Sequence, residues 1–87
     1  MARPVAETFY RWAKGEDVEL TPSAHVDFGL DSVVHAVALG KAVMNGATLK
    51  ELDRALGYGR RLSALVRKYV PNMLVEFHTS YDEMAGR

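Results

Sequence analysis

The stretch from Thr48 to Tyr69, TLKELDRALGYGRRLSALVRKY, decides the fold that we predict for this chain. Two short runs with helical spacing of apolar residues lie on either side of Gly57-Tyr58-Gly59. Glycine at this place is typical of a helix end and a turn into the next helix. The stretch holds six basic and two acidic residues, a net charge of +4 in a chain whose total charge is zero. Charge segregated in this way indicates a polyanionic partner.

Length and composition favour one small domain. The chain has 87 residues, of which 48% are hydrophobic and none is cysteine. Disulfides, thiolate nucleophiles and cysteine-based zinc sites are therefore excluded. We expect no enzymatic activity, because a chain of this size forms a modest core without a deep catalytic cleft. No apolar run approaches the ~20 residues of a membrane span, and the N-terminal stretch lacks the apolar region of a signal peptide, so we expect a cytoplasmic protein.

Helical periodicity predicts a single all-α domain over 1–87, a small bundle of about five helices. The predicted elements are an amphipathic N-terminal helix over 4–15, an acidic loop over 16–31, a trihelical helix-turn-helix core over 32–70 and a C-terminal helix over 71–87. A strand over 73–78 is the alternative for the last element. In the N-terminal helix, Val5, Phe9 and Trp12 form the apolar stripe. Further along the chain, Thr48 is placed to cap the short helix that begins after it.

The helix predicted over 32–45 is apolar around most of its circumference. Asp31 is placed to cap its first turn, and Asn45-Gly46 marks its end. Its apolar residues include Val33, Val34, Val37, Leu39, Val43 and Met44. A helix that is apolar on most sides needs cover on more than one face. Because so short a chain supplies little covering surface, we expect a homodimer.

The basic stretch resembles the helix-turn-helix superfamily of DNA-binding proteins. Residues 48–52 (TLKEL) and 54–57 (RALG) are similar to the first helix and glycine turn of the motif, and residues 61–67 (RLSALVR) are similar to its recognition helix. In that superfamily the last helix enters the major groove. The resemblance implies a small transcriptional regulator of prokaryotic or phage type that binds double-stranded DNA sequence-specifically.

On that resemblance, nine residues are candidates for contact with DNA. Arg60 and Arg61 begin the recognition helix, the part that meets base edges, and arginine pairs bidentately with guanine. Ser63 and Ala64 are expected on the same outer face, within reach of a base edge or a thymine methyl group. The candidates for backbone contact are Thr48, Lys50, Tyr58, Arg67 and Lys68. The alternative interpretation of these cations is a solvated helix face with partners of its own.

A second motif supports a competing hypothesis. Residues 27–33 (DFGLDSV) resemble the sequence around the modified serine of acyl and peptidyl carrier proteins. The resemblance implies a phosphopantetheine arm on Ser32, with Asp31 before it at the start of a helix. Carrier proteins of the fatty-acid type present acidic residues after this serine, whereas no acid lies between Ser32 and Gly46 here. An ordinary loop closing into a helix capped by Asp31 explains the same residues.

A third hypothesis is a protein-binding module, such as a phage-encoded factor that occupies a host protein through its apolar helices. No metal or catalytic motif is present, and His25, His35 and His78 are too far apart in sequence to indicate a metal site. We therefore predict neither a metal nor a cofactor outside the carrier hypothesis. Phe9 and Phe77 fall on apolar stripes, so we expect them in the core or in a dimer interface.

Overall fold

The computed structural model describes residues 4–20 and 33–78, which form four helices and no strand. Helix α1 spans Pro4–Ala13, α2 spans Val33–Met44, α3 spans Leu49–Ala55 and α4 spans Gly59–Tyr69. The predicted all-α class is confirmed for this part of the chain. None of the four helices combines the length and apolarity that a bilayer span requires.

Local signals account for the ends of α3. The Thr48 side chain accepts a hydrogen bond from the Glu51 N–H at 3.1 Å, and the Glu51 carboxylate accepts one from the Thr48 N–H at 3.1 Å. This reciprocal capping box satisfies backbone donors that the first turn leaves unpaired, and it confirms the predicted cap at Thr48. At the other end Gly57 has a φ of 83°, a left-handed conformation that favours glycine.

The core lies where all four helices meet. Phe9 of α1, Leu39 of α2, Leu52 of α3 and Leu62 of α4 are each fully buried. Helix α4 packs on α2 and α3, while α1 packs on the same two helices, and α2 and α3 have no direct packing of their own. The trihelical core predicted over 32–70 is therefore not confirmed, because α2 and α3 do not pack on each other and are joined by both α4 and α1.

The C-terminal helix predicted from residue 71 does not form within the described residues. The chain turns at Pro71 and then continues without helix or strand to His78, whereas residues 79–87 lie outside the described part. Burial alternates along this segment: Met73, Val75 and Phe77 pack against the core, while Leu74 is 93% exposed. Burial of every second residue is the periodicity of an extended chain. The segment therefore buries one apolar face without forming a helix.

Helix α2 buries only one of its faces. Ala38, Leu39, Ala42 and Val43 belong to the core. The opposite side leaves large apolar residues exposed, namely Val33 at 79%, Val34 at 55%, Val37 at 39% and Met44 at 71%. The helix is therefore central to the core on one side and an uncovered apolar surface on the other, as the sequence pattern suggested for a helix in need of a second cover.

Candidate nucleic-acid interface

The candidate interface consists of α3, α4 and the turn between them. Helix α4 is strongly amphipathic: Leu62, Leu65 and Val66 face the core, and Arg60 and Ala64 lie on the exposed side. The turn is short because Gly57 reverses the chain within a few residues of the end of α3. The two helices consequently pack against each other and present one continuous surface.

Three cations of this surface have uncommitted side chains. Lys50 and Arg54 project from α3, and Arg60 projects from the first turn of α4. All three residues are exposed, and within 4–20 and 33–78 their side chains form neither an ion pair nor a hydrogen bond. Their charges are therefore available to an anionic ligand. Of the two arginines predicted to read bases, Arg60 is the one that keeps this freedom.

Arg61 is held in place by the turn. Its guanidinium carbon lies 4.5 Å from the centre of the Tyr58 ring, and its Nη1 donates a hydrogen bond to the Arg54 carbonyl oxygen at 3.1 Å. A guanidinium has five donor hydrogens, so further bonds remain available. The contact with Tyr58 and the hydrogen bond at the end of α3 nevertheless orient Arg61 towards the turn. The sequence suggested that Arg60 and Arg61 are equivalent, but the structure places them in different environments.

Lys68 pairs with Glu51, which lies 17 residues away in the sequence. Its Nζ donates to the Glu51 carboxylate at 2.9 Å, and the Tyr69 hydroxyl donates to the same carboxylate at 2.6 Å. The bonds from Tyr69, Lys68 and the Thr48 N–H lower the pKa of Glu51 from 4.5 to about 2, and the bond to Glu51 raises the pKa of Lys68. Glu51 thus keeps its charge and neutralises much of the Lys68 charge at the end of α4.

Arg67 also has an acidic neighbour. Its Nη1 lies 3.7 Å from a carboxylate oxygen of Glu76, with both side chains more than half exposed. A surface pair of this length contributes little to stability and exchanges readily with another anion. The Arg67 charge is therefore available to another anion, whereas Lys68 would first have to leave Glu51.

The prediction that Ser63 lies on the outer surface is wrong. Ser63 is 2% exposed, and its Oγ accepts a hydrogen bond from the Phe77 N–H at 2.9 Å. The extended segment 73–78 runs back along this side of α4 and covers it. The Phe77 ring lies 4.7 Å from the His35 ring, and the His35 Nε2 lies 2.8 Å from the Glu76 carbonyl oxygen, so contacts from α2 hold the segment in place.

The remaining candidates divide between solvent and local structure. Ala64 is exposed, as expected for the outer face. Tyr58 is 39% exposed and stacks with Arg61, so it shapes the turn. Thr48 is exposed, but its hydroxyl is engaged in the capping box of α3. The hydroxyl also donates to the Glu51 carboxylate at 3.2 Å, so Thr48 is a structural residue and a hydrogen bond from its hydroxyl to a phosphate would have to replace this bond.

A groove between α3 and α4 was not predicted from the sequence. It has a volume of about 290 Å³, opens to solvent along one side, and is lined by Glu51, Arg54, Ala55, Arg61, Ala64, Leu65 and Lys68. The groove exists because Ala55 and Ala64, one on each helix, leave space where larger side chains would meet. An alanine on each helix was the only sequence signal for it.

Comparison with protein-family models, curated proteins and solved structures found no match to this chain. The candidate interface therefore rests on its own geometry. The carrier hypothesis stays a prediction, since Asp31 and Ser32 lie outside the described residues, as does His25. Among the described residues no group of three or more histidine, aspartate or glutamate side chains is arranged to hold a metal ion.

Proposed function

We propose that this protein binds double-stranded DNA sequence-specifically through the exposed side of α4 and the adjoining surface of α3, as a small transcriptional regulator. The observation that carries the proposal is a set of three cations, Lys50, Arg54 and Arg60, on two helices that share one surface and without a side-chain partner among the described residues. Charges left unpaired on a rigid surface suit a ligand that carries regularly spaced phosphates.

The dimensions of α4 suit the major groove. The helix has 11 residues, about 16 Å at 1.5 Å per residue, and a major groove ~12 Å wide admits an α-helix. Arg60 lies at its N-terminal end, which is the part of a recognition helix that meets base edges. We assign base reading to Arg60, and phosphate contacts to Lys50, Arg54 and Arg67 with support from Arg61.

We further propose that the protein acts as a homodimer whose interface is the exposed apolar face of α2. Four large apolar residues share this face, and Lys41 is the one charged residue of the helix. A second copy would cover the same residues by two-fold symmetry, and a dimer places two readers on the two halves of a palindromic site.

The deciding experiment is a titration of a labelled duplex, taken from the DNA upstream of the gene, with the folded protein at several salt concentrations. Three neutralised phosphates predict a slope of about −3 in log affinity against log salt. Arg60→Ala should abolish the preference for the upstream duplex over a scrambled one, while Lys41→Ala, a change of an exposed cation on α2, should not. An absence of duplex binding at low salt would overturn the proposal.

A further inference from the structure

The groove between α3 and α4 has a chemistry that duplex DNA does not use. Ala55, Ala64 and Leu65 provide an apolar floor, and the charged side chains lie around it. Its volume of about 290 Å³ is just below the ~300–1,000 Å³ of small-molecule sites. A space of this size and open shape accepts one or two apolar side chains, whereas phosphates would meet its rim and leave the floor uncovered.

The charge on the rim is uneven. At one end Lys68 is paired with Glu51, so that end is close to neutral. At the other end the Arg61 guanidinium lies against the Arg54 carbonyl group, and the Arg54 side chain is free of partners among the described residues. Three cations and one carboxylate give the rim a net charge of +2, concentrated at the end where Arg54 and Arg61 lie.

We propose that this groove docks a segment of a partner protein in which an apolar side chain is followed closely by a carboxylate. The apolar side chain covers Ala55, Ala64 and Leu65, and the carboxylate pairs with Arg54. The open side favours a protein segment over a small molecule, because small-molecule sites bury ~70–90% of the ligand surface, whereas a partner chain brings its own surface to cover the open side.

This docking site goes beyond DNA binding and overlaps the surface proposed for it. Arg54 belongs to both surfaces, and a partner seated over Ala64 would stand between α4 and a major groove. Arg60 does not line the groove. The two ligands should therefore compete for the protein, and Arg60 distinguishes them because only DNA binding depends on it.

The test is a selection of displayed random 12-residue peptides on the folded protein, followed by binding measurements on the enriched sequences. We expect enriched peptides to share an apolar residue with Asp or Glu within two positions. They should bind Arg54→Gln at least tenfold more weakly than the wild type, and Lys50→Gln, a change of a cation on the same helix outside the groove, with unchanged affinity. Ala64→Trp, which places a large ring in the groove from an exposed position, should abolish binding while thermal unfolding stays cooperative.

The outcomes of this test separate the two proposals. Arg60→Ala should lose DNA recognition and keep peptide binding. Peptides that bind Arg54→Gln and Ala64→Trp as tightly as the wild type would overturn the docking site, whatever the duplex titration shows. Failure to enrich any peptide over an unrelated helical control protein would overturn it as well, and binding of DNA alone to this surface would leave only the first proposal standing.

Discussion

Lys68 donates a hydrogen bond to the Glu51 carboxylate at 2.9 Å, although the two residues lie 17 positions apart on different helices. Glu51 also caps its own helix through Thr48 and accepts a bond from Tyr69. One carboxylate therefore joins the first turn of α3 to the last turn of α4. This residue therefore supports the packing of the two helices that the buried core brings together.

The Glu51 carboxylate should make the stability of the wild type depend on pH in a defined window, and Glu51→Gln should remove that dependence. The pKa of Glu51 falls from 4.5 to about 2 on folding, so its stabilisation is complete above pH 4.5 and is lost as the pH falls towards 2. Glu51→Gln removes the capping carboxylate and the charge-assisted bonds, which costs about 1–2 kcal/mol at pH 7. The difference in unfolding temperature between the wild type and Glu51→Gln should become smaller as the pH falls from 7 to 2.5.

A control for this prediction is Glu7→Gln, a change of an exposed carboxylate in α1. Its unfolding temperature should follow that of the wild type across the same range. If the unfolding temperatures of the wild type and Glu51→Gln differ by the same amount at pH 7 and pH 2.5, the carboxylate charge does not stabilise the fold.

The packing of the extended segment 73–78 on the core should depend mainly on the Phe77 side chain. Phe77→Ala removes a buried ring that contacts His35, and a loss of about 3–5 kcal/mol is expected for truncating a buried aromatic residue. Leu74→Ala should change the free energy of unfolding by less than about 0.5 kcal/mol, because Leu74 is 93% exposed. Urea unfolding of the two variants compares them directly, and equal losses would contradict the alternation of burial.

Ser63 should matter for folding and have no part in contact with DNA. Ser63→Ala leaves the buried Phe77 N–H without its acceptor, which costs about 1–3 kcal/mol. Its duplex affinity, measured where both proteins are folded, should equal that of the wild type. A selective loss of DNA affinity with unchanged stability would restore Ser63 to the recognition surface.

Substituting Arg60 should affect DNA binding, whereas substituting Arg61 should affect stability. Arg60→Ala should leave the unfolding temperature unchanged and weaken binding to the preferred duplex by about 1–3 kcal/mol, as for a bidentate contact to guanine. Arg61→Ala should lower stability by roughly 1 kcal/mol, because it removes the stacking on Tyr58 and the bond to the Arg54 carbonyl group. Calorimetry and fluorescence anisotropy on both variants check this, and identical behaviour would contradict the clamped position of Arg61.

The exposed face of α2 should set the oligomeric state. Val34→Lys places a charge within the proposed dimer interface and should give a monomer by light scattering at concentrations where the wild type is dimeric. Lys41→Gln, which changes the charge on the same helix without adding one to the apolar face, should leave the dimer intact. A wild-type monomer at high concentration would exclude the interface.

Much of the fold was predictable from local patterns. The capping residue Thr48, the glycine turn at Gly57 and the spacing of leucines identify α3 and α4, because helix ends are decided by hydrogen bonds and backbone conformations within a few residues. The C-terminal segment was not predictable in this way. Leu74 and Phe77 fit a helix by their spacing of three, while Met73, Val75 and Phe77 fit an extended chain by their spacing of two.

The sequence by itself determined the helical class, the ends of α3 and the concentration of positive charge between Thr48 and Tyr69. Only the tertiary structure decided which of those charges are available to a ligand. Packing brings Glu51 to Lys68, the turn brings Tyr58 to Arg61, and the extended segment covers Ser63, while the Arg60 side chain has no partner in the described part of the chain. These pairings depend on how the helices pack, because residues far apart in sequence meet only when burial of the shared core fixes the distance between them.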